Sequence, residues 1–319
     1  MNPSSFIISL DFELHWGVFD HTRLDGRGRR YFDVTRELIP VTLERFRQNG
    51  IRATWATVGM LFAHGRADLE AYLPAERPAY ADNSLDPYQL LDRLGKDEKE
   101  DPYHFAPSLI EQIASTPGQC IGSHTFSHFY CLEPGGSATS FAADLRAARH
   151  IAQENFGLEL RSLVFPRNQC AYLEVVRQSG FTTFRGNPAP WFWRASGGRD
   201  TSTIQKATRL VDHYVPVTLS QAATMERERG DVPASRFLRP CIQSIDRFGA
   251  QRLKVRRIVR EMRAAARRGQ DYHLWWHPHN LATEPSRNLA ALDTILAEYR
   301  SLHRSHGMQS ACMEDMSHE

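Results

Sequence analysis

Two histidines in residues 122–128, of sequence GSHTFSH, are the side chains best suited to chemistry. His124 and His128 are four positions apart, and on a helical turn such positions share one face. Both imidazoles could then reach one cation, as they do in the helical H-E-x-x-H zinc motif. A catalytic metal site also needs a third protein ligand and an open position for water. The chain contains 14 histidines, so this spacing also fits two ordinary polar side chains.

Two carboxylates follow the first predicted strand. Residues 6–10, of sequence FIISL, form an apolar, β-branched run that is typical of a buried strand, and Asp11 and Glu13 come directly after it. Enzymes built on α/β barrels and open α/β sheets keep their catalytic groups at this end of a strand. Asp11 could instead cap a turn, but a cap does not account for two carboxylates two residues apart. The pattern therefore favours a site at the end of this strand.

The rest of the chain alternates predicted strands with predicted helices. Strands are expected at 53–61, 119–122, 162–165, 181–184, 211–219 and 272–276, and helices at 34–49, 108–115, 138–156, 172–179, 252–268 and 286–303. Pro40 predicts a kink in the first helix, or a helix that starts there. This alternation indicates a parallel α/β architecture in one domain. Arg167 and His277 also follow strands, and because parallel strands end on one face, we expect all these polar side chains to meet there.

Composition limits the partners and the compartment. The net charge of +2 is too small to indicate nucleic-acid binding, and no apolar window is long enough for a membrane span. The N-terminus lacks the basic region and apolar stretch of a signal peptide. Five scattered cysteines, an odd number without a C-x-x-C pair, argue against a disulfide framework or a cysteine zinc site. A reducing cytoplasm is the expected compartment.

The 319 residues are expected to form a single domain, 1–319, with three less regular parts. Residues 63–107 and 218–250 are predicted surface insertions, and residues 305–319 a loose tail. The insertion at 63–107 could cover the site or could be a solvated excursion. The predicted helix 252–268 is basic, with eight Lys or Arg. A solvated outer face is its default interpretation, and contact with an anionic membrane surface or a diphosphate-bearing substrate is the alternative.

The motifs, in their order along the chain, resemble those of a known family. An acid pair ending the first strand, the sequence SHTFSH at 123–128, an arginine-bearing turn and a histidine after the last strand resemble the polysaccharide deacetylases, the NodB homology family or carbohydrate esterase family 4. The resemblance runs from about residue 6 to residue 280. It implies an α/β fold, a distorted TIM-like (β/α)7 barrel, and an enzyme that uses a divalent metal to remove N-acyl groups from sugars.

The resemblance also implies roles for the polar residues. Asp11 matches the family's general base. Glu13, His124 and His128 match the ligands of one divalent metal ion, most often Zn²⁺. One residue separates the two acids, as in a D-x-E branch of the family, and along a strand a side chain returns to the same face after two residues. The reverse assignment of the two acids stays open.

Other motifs depart from the family pattern. The third motif normally reads R-x-P-x-G, whereas residues 165–169 read FPRNQ, and Arg167 is the candidate for orienting the base. The fourth motif, an acid that tunes the catalytic histidine, has no clear counterpart near residues 185–187. The last histidine is displaced by one residue, so His277 is the expected general acid and His279 the alternative. The candidate substrate contacts are Asn168, Trp191, Trp193, Trp276 and His279.

These features predict a metal-dependent hydrolase that removes an N-acyl group, most simply N-acetyl, from an amino sugar. The substrate is expected to be a nucleotide-, lipid- or glycan-linked precursor in bacterial surface polysaccharide or lipopolysaccharide synthesis, an inference that rests on family analogy. The alternatives are an inert sugar-binding relative and a relative acting on a non-sugar C–N bond, with or without metal. Two histidines and a carboxylate would also suit non-haem iron(II).

Overall fold

Parallel strands alternate with helices throughout the described part of the chain. The computed structural model describes residues 4–188, 208, 230–241 and 249–317. The strands are β1 (Ser5–Phe12), β2 (Ala53–Thr57), β3 (Gln119–Ser123), β4 (Ser162–Val164), β5 (Thr183–Arg185), β6 (Arg236–Phe237), β7 (Tyr272–Trp276) and β8 (Gln309–Ala311). The helices are α1 (Gly26–Asn49), α2 (Arg66–Ala71), α3 (Pro107–Ser115), α4 (Ala138–Phe156), α5 (Leu173–Gln178), α6 (Ala250–Arg268) and α7 (Pro285–His306). The predicted strand at 211–219 and most of the predicted insertion at 218–250 lie outside the described residues.

The strands form a barrel that a short segment closes. Their order is β5-β4-β3-β2-β1-β7-β6 with parallel neighbours, and β8 pairs with the first half of β1. Residues 230–238 then join the two ends of this sheet. The Phe184 N–H donates to Gly230 O at 2.9 Å, and the Ser235 N–H donates to His273 O at 2.9 Å. The predicted fold, a distorted (β/α)7 barrel, is confirmed.

Side-chain alternation along β1 separates the outside of the barrel from its interior. Successive side chains of a strand point to opposite faces. Phe6, Leu10 and Phe12 belong to the main core, which packs the sheet against the helices. Ile7 belongs instead to a small apolar cluster inside the barrel, and the Asp11 side chain also points inward. One strand therefore supplies both the outer core and the inner, chemically capable face.

Helix α1 begins earlier than the sequence pattern predicts. The Asp25 side chain accepts hydrogen bonds from Arg27 N and Gly28 N at 3.0 Å, which caps the helix N-terminus. The helix ends at Gly50, whose φ of 63° is the left-handed conformation that favours glycine. Pro40 lies inside the helix, so the expectation of a start at residue 34 or at Pro40 is wrong. The capping aspartate, and not the proline, sets the boundary.

The predicted insertion at 63–107 is folded against the barrel. It contains α2 and 3₁₀ turns, and Gly65 pairs with Asp97 in an isolated antiparallel bridge. Leu69 and Phe105 within it are fully buried and belong to the main core. This segment is therefore part of the packed structure and not a solvated excursion. In the described part of the chain, no helix has the length and apolar content that a membrane crossing requires.

The C-terminal segment forms the floor of the barrel. Helix α7 continues to His306, and β8 then pairs with β1. Ala311, Met313 and Met316 pack inside the barrel against Ile7. The expectation of a loose tail from residue 305 is therefore wrong as far as residue 317. Local sequence did not reveal this packing because the partner strand lies at the other end of the chain.

A disulfide fixes this floor to the sheet. Cys120 on β3 is bonded to Cys312, and their Cα atoms are 6.4 Å apart. The expectation against disulfides is therefore wrong, since the two cysteines are distant in sequence and meet only in the fold. The other three cysteines, Cys131, Cys170 and Cys241, are not part of a disulfide. Because disulfides persist mainly in oxidising compartments, one ground for expecting a reducing cytoplasm is removed.

Candidate metal centre

A carboxylate and two imidazoles converge at the C-terminal ends of β1 and β3. Glu13 Oε2 lies 3.3 Å from His124 Nε2 and 3.2 Å from His128 Nε2. The three side chains are almost completely buried. One potential ligand atom from each lies within 4.8 Å of the other two. The histidines and the second acid that the sequence singled out therefore meet at one point.

The loop that carries the two histidines is not helical, which corrects the expected geometry. Thr125 has φ of 63° and His128 has φ of 58°, both in the left-handed region that residues other than glycine rarely adopt. Asp144 on α4 holds this loop: its carboxylate accepts from Phe126 N at 2.6 Å, from Ser127 N at 3.1 Å and from the Ser127 hydroxyl. The imidazoles thus converge through two unusual backbone conformations that a buried carboxylate supports.

Hydrogen bonds orient both imidazoles. His124 Nδ1 donates to Val164 O at 2.8 Å, because a carbonyl oxygen can only accept. Nε2 of His124 is then the ring nitrogen that faces Glu13. His128 Nδ1 lies 3.1 Å from the Tyr130 hydroxyl. Such bonds to the outer nitrogen are the usual means by which proteins orient metal-ligating histidines.

The donor set and the local packing both fit a divalent cation. The Nε2 atoms of His124 and His128 both face Glu13 Oε2, at 3.3 Å and 3.2 Å, so one cation could bind all three atoms. Two histidine nitrogens and one carboxylate oxygen are also a common catalytic zinc set, with room for a further ligand. Gly17 lies against Glu13, since a Cβ at residue 17 would be 2.0 Å from Glu13 Cδ. Glycine at position 17 therefore leaves the space that the Glu13 carboxylate occupies.

The protonation of Glu13 and His128 also fits this arrangement. Burial by itself would raise the pKa of Glu13, but His277, His124 and His128 together hold that pKa well below its usual value. Burial lowers the pKa of His128, which Glu13 only partly offsets. An ionised carboxylate and a neutral imidazole are the forms that bind a metal.

A buried arginine holds Asp11 beside this triad. Arg185, the last residue of β5, donates to Asp11 Oδ1 at 2.6 Å and to Asp11 Oδ2 at 2.7 Å. The same guanidinium donates to the Ser9 hydroxyl at 3.1 Å and lies 4.1 Å from the Trp275 ring centroid. Burial would raise the pKa of Asp11, but the charge and hydrogen bonds of Arg185 hold it below its usual value. Asp11 is therefore an ionised, oriented carboxylate.

Arg167 does not contact Asp11. Its guanidinium donates to Asp20 Oδ2 at 2.5 Å and lies 4.2 Å from the Tyr130 ring centroid, at a partly exposed position. Arg185 thus takes the position beside Asp11 that was expected for Arg167. Asn168, a predicted substrate contact, accepts a hydrogen bond from Arg185 Nη2 at 3.1 Å.

His277 faces both acids from the end of β7. Its Nε2 lies 3.8 Å from Asp11 Oδ2 and 3.7 Å from Glu13 Oε1, and its side chain is 24% exposed. Its Nδ1 lies 3.3 Å from Asn280 Oδ1, which keeps Nε2 turned toward the acids. His279 stacks on His277 with ring centroids 4.9 Å apart, but it is buried, and burial lowers its pKa to about 3. Of the two histidines, His277 is the one that solvent and a substrate can reach.

Solved structures share this fold, although no family model and no curated protein matches the sequence. A protein from Mycobacterium smegmatis named as a polysaccharide deacetylase gives a TM-score of 0.60 at 14% identity, over 98% of this chain and 88% of its own. A Pseudomonas aeruginosa PAO1 protein of the same name gives 0.57 at 11% identity, over 98% and 88%. This chain has the polysaccharide deacetylase fold. The resemblance carried by the motifs is confirmed at the level of the fold.

Within this deacetylase fold, one predicted substrate contact lies on the wrong side of its strand. Trp276 is fully buried and packs 6.2 Å from the Phe46 ring in the outer core, so its ring cannot contact a substrate. The preceding residue, Trp275, faces the interior, 5.7 Å from the His277 ring. Trp191 and Trp193 lie outside the described residues. His279 lies beside the site, with Nδ1 3.9 Å from Glu13 Oε1.

Sequence reasoning missed several residues that build the candidate metal centre. Arg185 carried a usable signal, because it ends an apolar strand as Asp11 does. Gly17 and Asp144 carried none, since both act through contacts that only the fold creates. Asn280 stands three residues after His277 and could have been proposed as its partner.

Proposed function

We propose that this protein is a metal-dependent hydrolase that removes an N-acyl group, most simply acetyl, from an amino sugar, with Zn²⁺ as the metal. The observation that carries the proposal is the meeting of three functions at one point. The triad of Glu13, His124 and His128 could hold a cation, Asp11 is held ionised beside it, and His277 faces both acids. An N-acyl sugar requires these functions, because an amide needs an activated water, a stabilised oxyanion and a protonated leaving nitrogen.

The chain's own residues supply the proton transfers. A divalent ion held by the triad would polarise the acyl oxygen and acidify water. Asp11 takes the proton from the attacking water, and Arg185 keeps that carboxylate oriented by two hydrogen bonds. His277 then donates a proton from Nε2 to the departing amine. Its Nδ1 contact with Asn280 leaves Nε2 as the atom that faces the substrate.

The substrate class and the pathway rest on the fold and the motifs together. The neighbours of known structure are named as polysaccharide deacetylases, which supports an acylated carbohydrate. We retain the hypothesis of a precursor in bacterial surface polysaccharide or lipopolysaccharide synthesis. The disulfide between Cys120 and Cys312 favours an oxidising compartment over the cytoplasmic location expected from the sequence.

A single experiment tests the activity. The purified protein is stripped with a chelator, reloaded with Zn²⁺, and assayed for acetate release from N-acetylated amino sugars and from a non-sugar acetamide. We expect turnover of the sugars only after metal is restored. Sugar binding without acetate release would indicate an inert relative. Full turnover after chelation, or turnover only of the non-sugar amide, would refute the proposal.

The matched controls change one function at a time. Asp11→Asn keeps the shape of the base and removes its proton acceptor, so it should bind metal and release no acetate. Arg263→Gln, whose partner Glu298 lies on the outer helix α7, should behave as the unmodified protein in both assays.

A further inference from the structure

Three arginines line a groove between α6 and α7 that the proposed chemistry does not use. The groove has a volume of about 760 Å³ and contains Arg252, Arg256 and Arg287, together with Gln251. All three arginines are exposed. Among the described residues, no carboxylate lies within ion-pair distance of any of them, and the only recorded contact of these guanidiniums joins Arg287 to the Cys241 sulfur at 4.0 Å. Such a groove attracts anions.

Three other arginines on or near α6 differ because each has a carboxylate partner. Arg257 and Arg236 both bind the buried Glu261, at 3.0 Å and 2.7 Å. Arg263 binds Glu298 at 2.7 Å. Arg257 is therefore engaged with Glu261 and is not part of the groove. The three guanidiniums of the groove lie within the first two turns of their helices.

The groove has features of an anion site besides its charge. The N-terminus of α6 lacks a side-chain cap, and because the N–H of Arg252 already donates to Gly249 O at 3.0 Å, the N–H groups of Ala250 and Gln251 are the ones left for a ligand. The amide of Gln251 is buried and has no hydrogen-bond partner. Guanidinium groups bind phosphate and carboxylate by paired hydrogen bonds. An anion in the groove could accept hydrogen bonds from the guanidiniums, from the helix N–H groups and from the amide nitrogen of Gln251.

The groove lies on the same face of the barrel as the candidate metal centre. In a parallel β/α barrel, helices begin at the face where strands end. Asn288, next to Arg287, donates to Asn280 O at 3.2 Å. Asn280 is the residue whose side chain orients His277. The groove and the candidate general acid are therefore joined by one short, hydrogen-bonded loop.

We propose that this groove is an anion subsite that binds a phosphate group carried by the substrate, beyond the sugar whose acyl group is removed. The proposal rests on the proposed deacylase function, and it makes the substrate a phosphate-bearing amino sugar. Leu253 lies beside the groove on α6 and is 51% exposed, and an exposed leucine next to arginines would also fit an anionic membrane surface. The test must therefore distinguish binding to a membrane from binding to a phosphate on the substrate.

Binding of inorganic pyrophosphate to metal-free protein tests the subsite without any turnover. The groove variant is R252Q/R256Q/R287Q. The control is R267Q/R268Q/R304Q, which removes three exposed charges from the other ends of the same two helices. We expect calorimetry to show pyrophosphate binding that weakens at least about tenfold in the groove variant, the equivalent of one charge-assisted hydrogen bond. The control variant should change less than about twofold.

Several results would overturn the subsite. The proposal is refuted if the unmodified protein does not bind pyrophosphate, or if both variants lose the same pyrophosphate affinity. It is also refuted if the protein binds phosphatidylglycerol vesicles but not pyrophosphate. If the groove variant does not fold, Arg256→Gln alone is measured, and unchanged pyrophosphate affinity would count against the proposal.

Kinetics then separate the subsite from the function. The ratio of KM for a phosphate-bearing N-acetyl sugar to KM for its neutral counterpart should rise about tenfold in the groove variant only, and more at low salt. Acetate release with an unchanged ratio refutes the subsite and leaves the function intact. Groove-dependent pyrophosphate binding without acetate release from any sugar refutes the function and leaves the anion site.

Discussion

Asp144 is expected to control metal affinity although it does not touch the triad. Its carboxylate accepts from two backbone N–H groups and one hydroxyl of the loop between the two histidines. That loop holds Thr125 and His128 in left-handed conformations. Asp144→Ala removes every acceptor at once, so the loop should relax and His128 should move away from Glu13.

The expected loss of metal affinity can be estimated from two opposing free energies, that of the hydrogen bonds accepted by Asp144 and that of the backbone strain in the loop. Each buried N–H that loses its acceptor costs about 1–3 kcal/mol, or roughly 2–6 kcal/mol for the two. The two left-handed residues store about 1–2 kcal/mol each, roughly 2–4 kcal/mol in total. The terms are similar in size, so the hydrogen bonds are just sufficient to hold the strained loop. We therefore expect metal affinity to fall about 10- to 100-fold, the usual effect of losing a residue that supports metal ligands.

Zinc affinity, measured by competition with a chromogenic chelator, is the assay. Glu261→Gln is the matched control, because Glu261 is a buried acid on the helix α6 that accepts hydrogen bonds from Arg236, Arg257 and Tyr272 and none from the loop. It should lower the melting temperature without changing zinc affinity. If Asp144→Ala binds zinc as tightly as the unmodified protein, the loop does not depend on Asp144 and the reasoning fails.

The same carboxylate should give a pH signature. Burial raises the pKa of Asp144 from 3.8 to about 6. A raised folded-state pKa contributes stability that is present below pH 4 and is lost as the pH rises through about 6. The difference of about two pH units corresponds to about 3 kcal/mol. Asp144→Asn removes this titration, so the difference in unfolding free energy between the variant and the unmodified protein should rise by about this amount from pH 4 to pH 8. If urea titrations give the same difference at both pH values, the raised pKa of Asp144 is contradicted.

The remaining predictions concern the roles of the other groups. Asp11→Asn should bind metal and lose turnover, whereas Glu13→Ala should lose metal; exchanged phenotypes in metal analysis would reverse the two roles. His277→Ala should retain metal and lose roughly 10²–10⁴ in kcat, and the same loss only in His279→Ala would transfer the acid role. Gly17→Ala should lose zinc, because its new Cβ would overlap the Glu13 carboxylate. Thiol titration of the denatured protein should find three free thiols, and five after reduction.

Much of the site could be predicted because strand ends are visible in sequence. Asp11, Glu13 and the histidine pair stand directly after apolar runs, and all four meet in the fold. The helical geometry expected for His124 and His128 was wrong, since equal spacing also suits a loop with left-handed residues. Local sequence does not show such a loop, because its support comes from α4.

Two sequence predictions were wrong: Arg167 was placed beside Asp11, where Arg185 lies, and Trp276 was placed in the site, where Trp275 faces the interior. Both residues could have been predicted correctly from the positions of strand ends and from side-chain alternation along a strand. Arg185 ends a strand and would have been found by the reasoning that found Asp11, but the family motif directed attention to Arg167. Trp276 was preferred to Trp275, although alternation from the inward His273 places residue 275 inside. The C-terminal floor was invisible for another reason, since its pairing with β1 is entirely non-local.

The interior of the barrel explains why Asp11 and Arg185 must be considered as one unit. Along β1, Ile7 belongs to the apolar floor, Ser9 to a buried polar layer with His273, and Asp11 to the site above it. Arg185 spans the last two layers, with almost no exposure. Removing one partner of such a buried pair costs about 3–5 kcal/mol, because the other charge is left uncompensated. A loss of activity in Arg185→Ala would therefore not separate catalysis from folding, whereas Arg185→Lys keeps the charge and removes the paired hydrogen bonds that orient Asp11.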